Sequence, residues 1–121
     1  MAPTSAPRRE KPARILIIDD QEQNTRLLAR ILAKAGYEQV ASTTNSDDAL
    51  ALHAQFKPDL VLLDRRMGGM DGLETLRRIR QIDAKVLVIF MTAYGTTQTA
   101  IEAMKLGAYD YLLKPDRKSV V

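Results

Sequence analysis

The stretch ILIIDDQEQNTRLLARILAKAG, residues 15–36, decides the fold. Residues 15–18 form a continuous aliphatic run, short enough for a strand buried on both faces. Asp19 and Asp20 end that run. Leu27, Leu28, Ile31, Leu32 and Ala35 then recur at helical spacing, and Gly36 supplies a stop. A strand followed at once by a helix is half of a unit that places parallel strands side by side.

The same alternation continues outward. Residues 38–42 read as a weak, polar strand at or near an edge, and residues 47–55 as a helix begun by Asn45-Ser46. Residues 60–63 are a second strand of the buried type. Asp71 with Glu74 three residues on gives a capping-box-like start to a helix carrying Leu73, Leu76 and Ile79. Residues 86–91 read as a strong strand. Thr96 and Thr97 cap a helix with Ala100, Ile101, Ala103 and Met104, stopped by Gly107, and residues 109–113 form the last strand. This order predicts an α/β fold, a doubly wound five-stranded parallel sheet of flavodoxin-like topology with helices on both faces.

Composition narrows the function classes. The 121 residues include 45% hydrophobic and 27% charged side chains, which fits one globular domain and excludes a disordered or fibrous chain. No apolar run approaches the ~18 residues of a membrane span. The absence of cysteine removes disulfides, thiol nucleophiles and thiolate metal sites, and is compatible with the cytoplasm. Net charge is +3, but the excess is terminal: residues 1–14 carry +3, residues 15–114 carry −1 and residues 115–121 carry +1. A near-neutral body offers little basic surface, so direct nucleic-acid binding is not expected, and Arg77, Arg78 and Arg80 read as a solvated helix face. Residues 1–13, rich in Pro and small residues, read as a mobile basic N-terminal tail ahead of a domain spanning 14–121.

In a doubly wound sheet, ligands bind outside the carboxyl ends of the strands. The first strand ends in Asp19-Asp20, the third in Asp64, the fourth in Thr92 and the fifth in Lys114-Pro115. Converging carboxylates repel one another, and a hard divalent cation removes the penalty. Mg²⁺ suits such a set, because it accepts one or two carboxylates, keeps waters and leaves room for a phosphoryl oxygen. A carboxylate can also act as a nucleophile toward phosphorus, assisted by an ammonium group and hydroxyl or amide donors. Each group alone is a weak signal; the four strand ends together are a strong one.

The chain resembles the receiver domain of two-component response regulators. The likeness rests on ILIIDD (15–20), DLVLLDRRMGGMDG (59–72), VIFMTAYG (88–95) and GAYDYLLKP (107–115), and runs from about Ile15 to Pro115. The run from Met91 to Pro115 is especially similar to receivers of nitrogen-regulatory-type enhancer-binding activators. The resemblance implies that Asp64 accepts a phosphoryl group from a histidine kinase or phosphotransfer protein. It implies that Asp19, Asp20, Asp64 and the backbone carbonyl of Arg66 hold Mg²⁺. It implies that Lys114, the Thr92 hydroxyl and the Ala93 amide meet the phosphoryl oxygens, and that Thr92 and Tyr111 form the switch. The output, by the same resemblance transcriptional, belongs to a domain or protein outside these residues. His53, the single histidine, is expected on a helix surface, which leaves the phosphodonor to another molecule.

Two departures from the family pattern stand out. Only seven residues follow Lys114, too few for the amphipathic helix the family places there. The domain is therefore expected to be incomplete after residue 115, with an apolar patch on one sheet face. Either the chain is a fragment or shortened variant, the favoured reading, or a partner or second copy covers the patch. The alternative function is a pseudo-receiver, an interaction or dimerisation module that works without phosphorylation. An aspartate-nucleophile phosphatase is disfavoured because Asp19-Asp20-Gln21-Glu22 lacks the second Asp two residues on. A flavin site is disfavoured because the carboxylates after the first strand would repel its phosphate. The second departure is Gly68, where the family usually has Pro; glycine fixes the Arg66 carbonyl less firmly. Gly68→Pro is expected to bind Mg²⁺ more tightly than the parent in a titration, and equal affinities would remove the idea.

Overall fold

The computed structural model describes residues 13–64, 71–92 and 97–113. The expected tail, Arg66, Gly68, Ala93, Lys114 and the short segment after it lie outside the described residues, as does the question of a last helix. Strands β1 (Arg14–Ile18), β2 (Gln39–Thr43), β3 (Leu60–Asp64), β4 (Leu87–Thr92) and β5 (Asp110–Leu113) alternate with helices α1 (Glu22–Lys34), α2 (Ser46–Phe56), α3 (Gly72–Ile82) and α4 (Thr97–Lys105). All neighbouring strands are parallel, in the order β2-β1-β3-β4-β5. The polar second strand is at an edge, as its sequence predicts. The order reverses on either side of β1, so the switch point lies between β1 and β3, at the ends that carry the acidic residues.

Two-residue alternation divides the aliphatic runs between two cores. Leu16, Ile18, Val61, Leu63, Val88 and Phe90 pack with Ala49 of α2, Leu76 and Ile79 of α3 and Ala103 of α4. Ile15, Ile17, Leu62 and Met91 face the other way, with Leu28 and Leu32 of α1 against them. Burying each large side chain contributes about 1.5–3 kcal/mol, so the central strands dominate stability. On the second face Leu87 and Leu112 are 45% and 50% exposed, beside the buried Ile15, Ile17, Leu62 and Met91. On α1, Leu28 and Leu32 meet the sheet while Leu27 and Ile31 stay about half exposed. Successive residues are rotated by about 100° on a helix, so one row of the leucine stripe faces the strands and the next does not.

Arg14 joins three elements at the start of β1. Its backbone N–H donates to Asp59 Oδ2 at 2.8 Å, Nε to the Phe56 carbonyl at 2.8 Å and a terminal nitrogen to Gln39 Oε1 at 2.6 Å. Its guanidinium carbon also lies 4.2 Å from the Phe56 ring centroid. This cation, which the charge count groups with the tail, is part of the folded body.

Helix ends follow the sequence with one exception. The Asn45 side chain caps α2 by accepting from Asp47 N–H at 2.8 Å. Gly36 closes α1: its N–H donates to Ala33 and that of Tyr37 to Leu32, at 3.0 and 2.9 Å. The expected capping box of α3 does not form. Asp71 is the N-cap residue without a side-chain cap bond, and Glu74 pairs with Arg77 and Arg78 at 3.3 and 3.0 Å. The two arginines, three and four residues on, compete for that carboxylate.

Gly36 and Gly107 have φ of +99° and +102°. An added Cβ at Gly36 meets nothing within 4 Å, whereas at Gly107 it would lie 2.8 Å from Arg80 Nε. Gly36→Ala should therefore lower stability by the backbone penalty alone, roughly 1–2 kcal/mol, and Gly107→Ala by more. Urea midpoints at unchanged slope measure both; equal losses would mean that the Arg80 contact gives way freely.

Candidate functional site

Parallel pairing fixes which chain positions finish together. Asp19 follows the last residue of β1, and its N–H still donates to Thr43 O at 3.2 Å, so the ladder runs one residue past the strand. Asp64 is the last residue of β3, beside Met91 of β4, and Thr92 comes next on β4. Leu113, the partner of Thr92 on β5, directly precedes Lys114. The sheet register thus brings the predicted positions at the ends of β1, β3 and β4 toward one end. It brings three of their carboxylates together: one oxygen each of Asp19, Asp20 and Asp64 lie within 4.8 Å of one another.

The three are not equivalent. Asp19 is fully buried, Asp64 is 3% exposed and Asp20 is exposed. Asp19 Oδ1 accepts from the Gln21 N–H at 2.9 Å, a local turn that points the chain into α1. The positive end of that helix begins at Glu22, where the macrodipole favours nearby anions. The donor set is all oxygen, with two buried anionic members and one open to solvent. That chemistry fits Mg²⁺, which prefers carboxylates and keeps waters on its open side.

The remaining predicted residues are only partly placed. Thr92 is located by its backbone at the end of β4, and Arg66, Ala93 and Lys114 lie outside the described residues. Tyr111 pairs with Phe90 across β4 and β5 and is 38% exposed, while its N–H donates to Asp110 Oδ1 at 2.8 Å.

A second polar cluster occupies the opposite end of the sheet, where the strands begin. His53, expected on a helix surface, is buried, and its Nε2 lies 3.1 Å from Asp83 Oδ2. Its turn of α2 faces inward, and the carboxylate of Asp83 makes that burial tolerable. Asp83 Oδ1 also accepts from the Lys85 and Val86 N–H groups at 3.0 and 3.1 Å, which shapes the turn into β4. Burial pushes the Asp83 carboxyl up, but those two N–H groups and His53 outweigh it and hold the group below its ordinary value. Arg80 likewise departs from the solvated face it was expected to share with Arg77 and Arg78. Its Nε and one terminal nitrogen donate to the Gly107 carbonyl at 3.0 and 2.8 Å, and the other donates to Asp83 O at 3.2 Å. Sequence spacing gives no hint of these partners, which lie 27 and 30 positions apart for Arg80–Gly107 and His53–Asp83.

A sequence profile of the response regulator receiver domain matches residues 15–121. The regulatory protein AtoC of Escherichia coli (strain K12) is 43% identical over 102 residues, 84% of this chain but only 22% of AtoC. The chemotaxis protein CheY of Thermotoga maritima is 37% identical over 108 residues, 89% of this chain and 90% of that protein. The solved CheX–CheY–BeF₃–Mg²⁺ complex of Borrelia burgdorferi is similar with a TM-score of 0.82 at 28% identity, covering 90% of this chain and 84% of the other. No helix among the described residues is long and apolar enough to cross a membrane.

Asp83→Ala would leave the Lys85 and Val86 N–H groups and His53 Nε2 without this acceptor, and should lower stability by about 1–3 kcal/mol at neutral pH. Because the folded-state value lies below the ordinary 3.8, the unfolded chain takes up the proton first as pH falls. The part of the difference owed to the charge is therefore full above that value and disappears as pH drops through the lower folded value. Urea unfolding of both proteins at several pH values measures it; a difference independent of pH would show that the carboxylate charge is not involved.

Proposed function

The chain belongs to the response regulator receiver domain family, and on that premise we propose that it is a phosphorylation-controlled switch with Asp64 as the phosphoacceptor. The observation that carries the reading is the convergence of Asp19, Asp20 and Asp64 at the carboxyl ends of β1 and β3. The donor is a histidine kinase or phosphotransfer protein. An Asp64 carboxylate oxygen bonds to phosphorus as the P–N bond of a phosphohistidine breaks, and the departing imidazole takes up a proton. Asp19, Asp20, Asp64 and the Arg66 carbonyl would hold Mg²⁺, which when bound neutralises the clustered charge. The BeF₃ and Mg²⁺ of the Borrelia CheY complex support both assignments by likeness.

Near Asp64, Lys114 supplies a cation, and the Thr92 hydroxyl and Ala93 amide supply hydrogen bonds to the transferred group. The group adds about −1.5 to −2 charge and strong acceptor oxygens. Drawing Thr92 and Lys114 toward those oxygens gives the segment after β4 two arrangements, and Tyr111 on the neighbouring strand responds. Residues 14–121 act as this switch and residues 1–13 as a basic tail, in the cytoplasm. The chain is a signalling domain, and its only chemistry is its own phosphorylation and dephosphorylation. It spans about a fifth of AtoC, so the output lies in another domain or protein; AtoC's name as a regulatory protein supports transcriptional control. A second copy of the chain is a further candidate partner.

Intact mass after incubation with Mg²⁺ and a small-molecule phosphodonor tests the reading. The wild-type chain should gain one phosphoryl group, while Asp64→Asn and a sample with the metal chelated should gain none. Absence of any gain in a wild-type chain that circular dichroism shows to be folded would favour the non-phosphorylated interaction module instead.

A further inference from the structure

Helix α4 follows the segment after Thr92, yet its described side chains hold it weakly to the body. Ala103 is buried, but Ile101 and Met104 are 43% and 45% exposed, and Glu102 and Lys105 are also exposed. Burying an alanine contributes far less than burying a leucine or phenylalanine. Beyond the last turn, Leu106 and Ala108 pack in the main core, and a cation adds to that hold on the C-terminal end of the helix. The Arg80 guanidinium, on the last turn of α3, donates twice to the Gly107 carbonyl and once to the Asp83 carbonyl. It therefore places positive charge at the carbonyl ends of both α3 and α4, where the macrodipoles favour it.

Arg80 stands on a fixed base. Its partner Asp83 is joined to His53 of α2 and to the backbone entering β4. On the far side of Gly107, Ala108 N–H donates to Ala103 O at 3.0 Å and Tyr109 N–H to Val88 O at 2.8 Å. The pinned carbonyl is thus continuous with the sheet itself. Gly107 suits this place, because its φ of +102° would strain any side chain and an added Cβ would lie 2.8 Å from Arg80 Nε, so that the guanidinium would have to shift. The amino end of α4 lies about 13 Å away along the helix axis, given its nine residues, and it follows the segment that leaves the phosphoryl site.

We propose that Arg80 is a positioning residue for the switch: its fork on Gly107 fixes the C-terminal end of α4 as a pivot, so that rearrangement at the strand-end site is taken up at the amino end of the helix. This rests on the receiver reading. Its physical content is a division of one short helix into a held end and a yielding end. The held end keeps the register of β5 while the exposed Ile101 and Met104 change orientation about it.

Amide hydrogen exchange on the full chain tests the pivot, with and without Mg²⁺ and beryllofluoride, for wild type, Arg80→Gln and Arg80→Lys. Without ligand, Arg80→Gln should lose about tenfold or more of its protection at residues 106–108, the size expected for bonds to a charged donor. Amides of β1 and β3 should be unaffected. In wild type, beryllofluoride should alter exchange at residues 101–103 and leave 106–108 within about twofold. In Arg80→Gln the ligand-induced change should spread to 106–108, and Arg80→Lys, which keeps the charge and a donor, should largely restore the wild-type pattern. Unchanged unliganded protection in Arg80→Gln would overturn the pin. Equal ligand-induced changes at both ends of α4 in wild type would overturn the pivot while leaving the receiver reading intact. A wild-type chain that ¹⁹F spectroscopy shows to take up no beryllofluoride would overturn the receiver reading and the pivot with it.

Discussion

Three carboxylates with oxygens within 4.8 Å of one another, two of them buried, set the terms for one end of this molecule. Removing anions from water and placing them side by side is unfavourable twice over, by desolvation and by repulsion. Such an arrangement is kept where something positive answers it. The amino end of α1 lies beside the cluster, and Asp19 accepts a bond from the backbone entering that helix. The set of hard oxygens suits a small divalent cation and, with it, a phosphoryl group. The central strands are positioned to bear the strain, because their side chains are almost wholly inaccessible and hold β1 and β3 in one register.

The other end of the sheet is organised differently. There charged side chains pair across elements: Asp83 with His53 and two backbone N–H groups, Arg80 with two carbonyls, and the Arg14 guanidinium with the Phe56 carbonyl and Gln39. Polar groups bonded to segments remote in the chain hold elements in one arrangement, since breaking a partnership leaves the other group stranded. One end of the sheet thus gathers three carboxylates, and at the other end polar side chains tie α2, α3 and the residues after α4 to one another. Helix α4 runs between them, from the segment after Thr92 to the Arg80 fork. That placement makes it the element through which a change at one end is carried while the other stays fixed.

Much of this was legible in the chain. The aliphatic runs at 15–18 and 60–63, the edge character of the second strand, the Asn45 cap and the glycine stops at Gly36 and Gly107 all follow from local chemistry, and the structure has them. The acidic cluster was legible because a parallel sheet turns strand-end residues into neighbours without further information. Other features were hidden for equally physical reasons. Whether Glu74 caps its helix or pairs with Arg77 and Arg78 is a contest between partners of similar strength, which spacing does not settle. His53 looked like a surface residue because its partner is thirty positions away, and Arg80 looked like Arg77 because all three arginines share a helix.

The sequence by itself determined the alternation of elements, the parallel sheet and the identity of the acidic strand ends, since these depend on periodicity and on residues a few positions apart. Only the tertiary structure decided how far Asp19 and Asp64 are withdrawn from water, which row of α1 meets the sheet, and that Arg80 belongs to α4 as much as to α3. Those outcomes depend on distances between segments remote in the chain, which are fixed when the helices settle on the two faces of the sheet and are encoded in no single stretch.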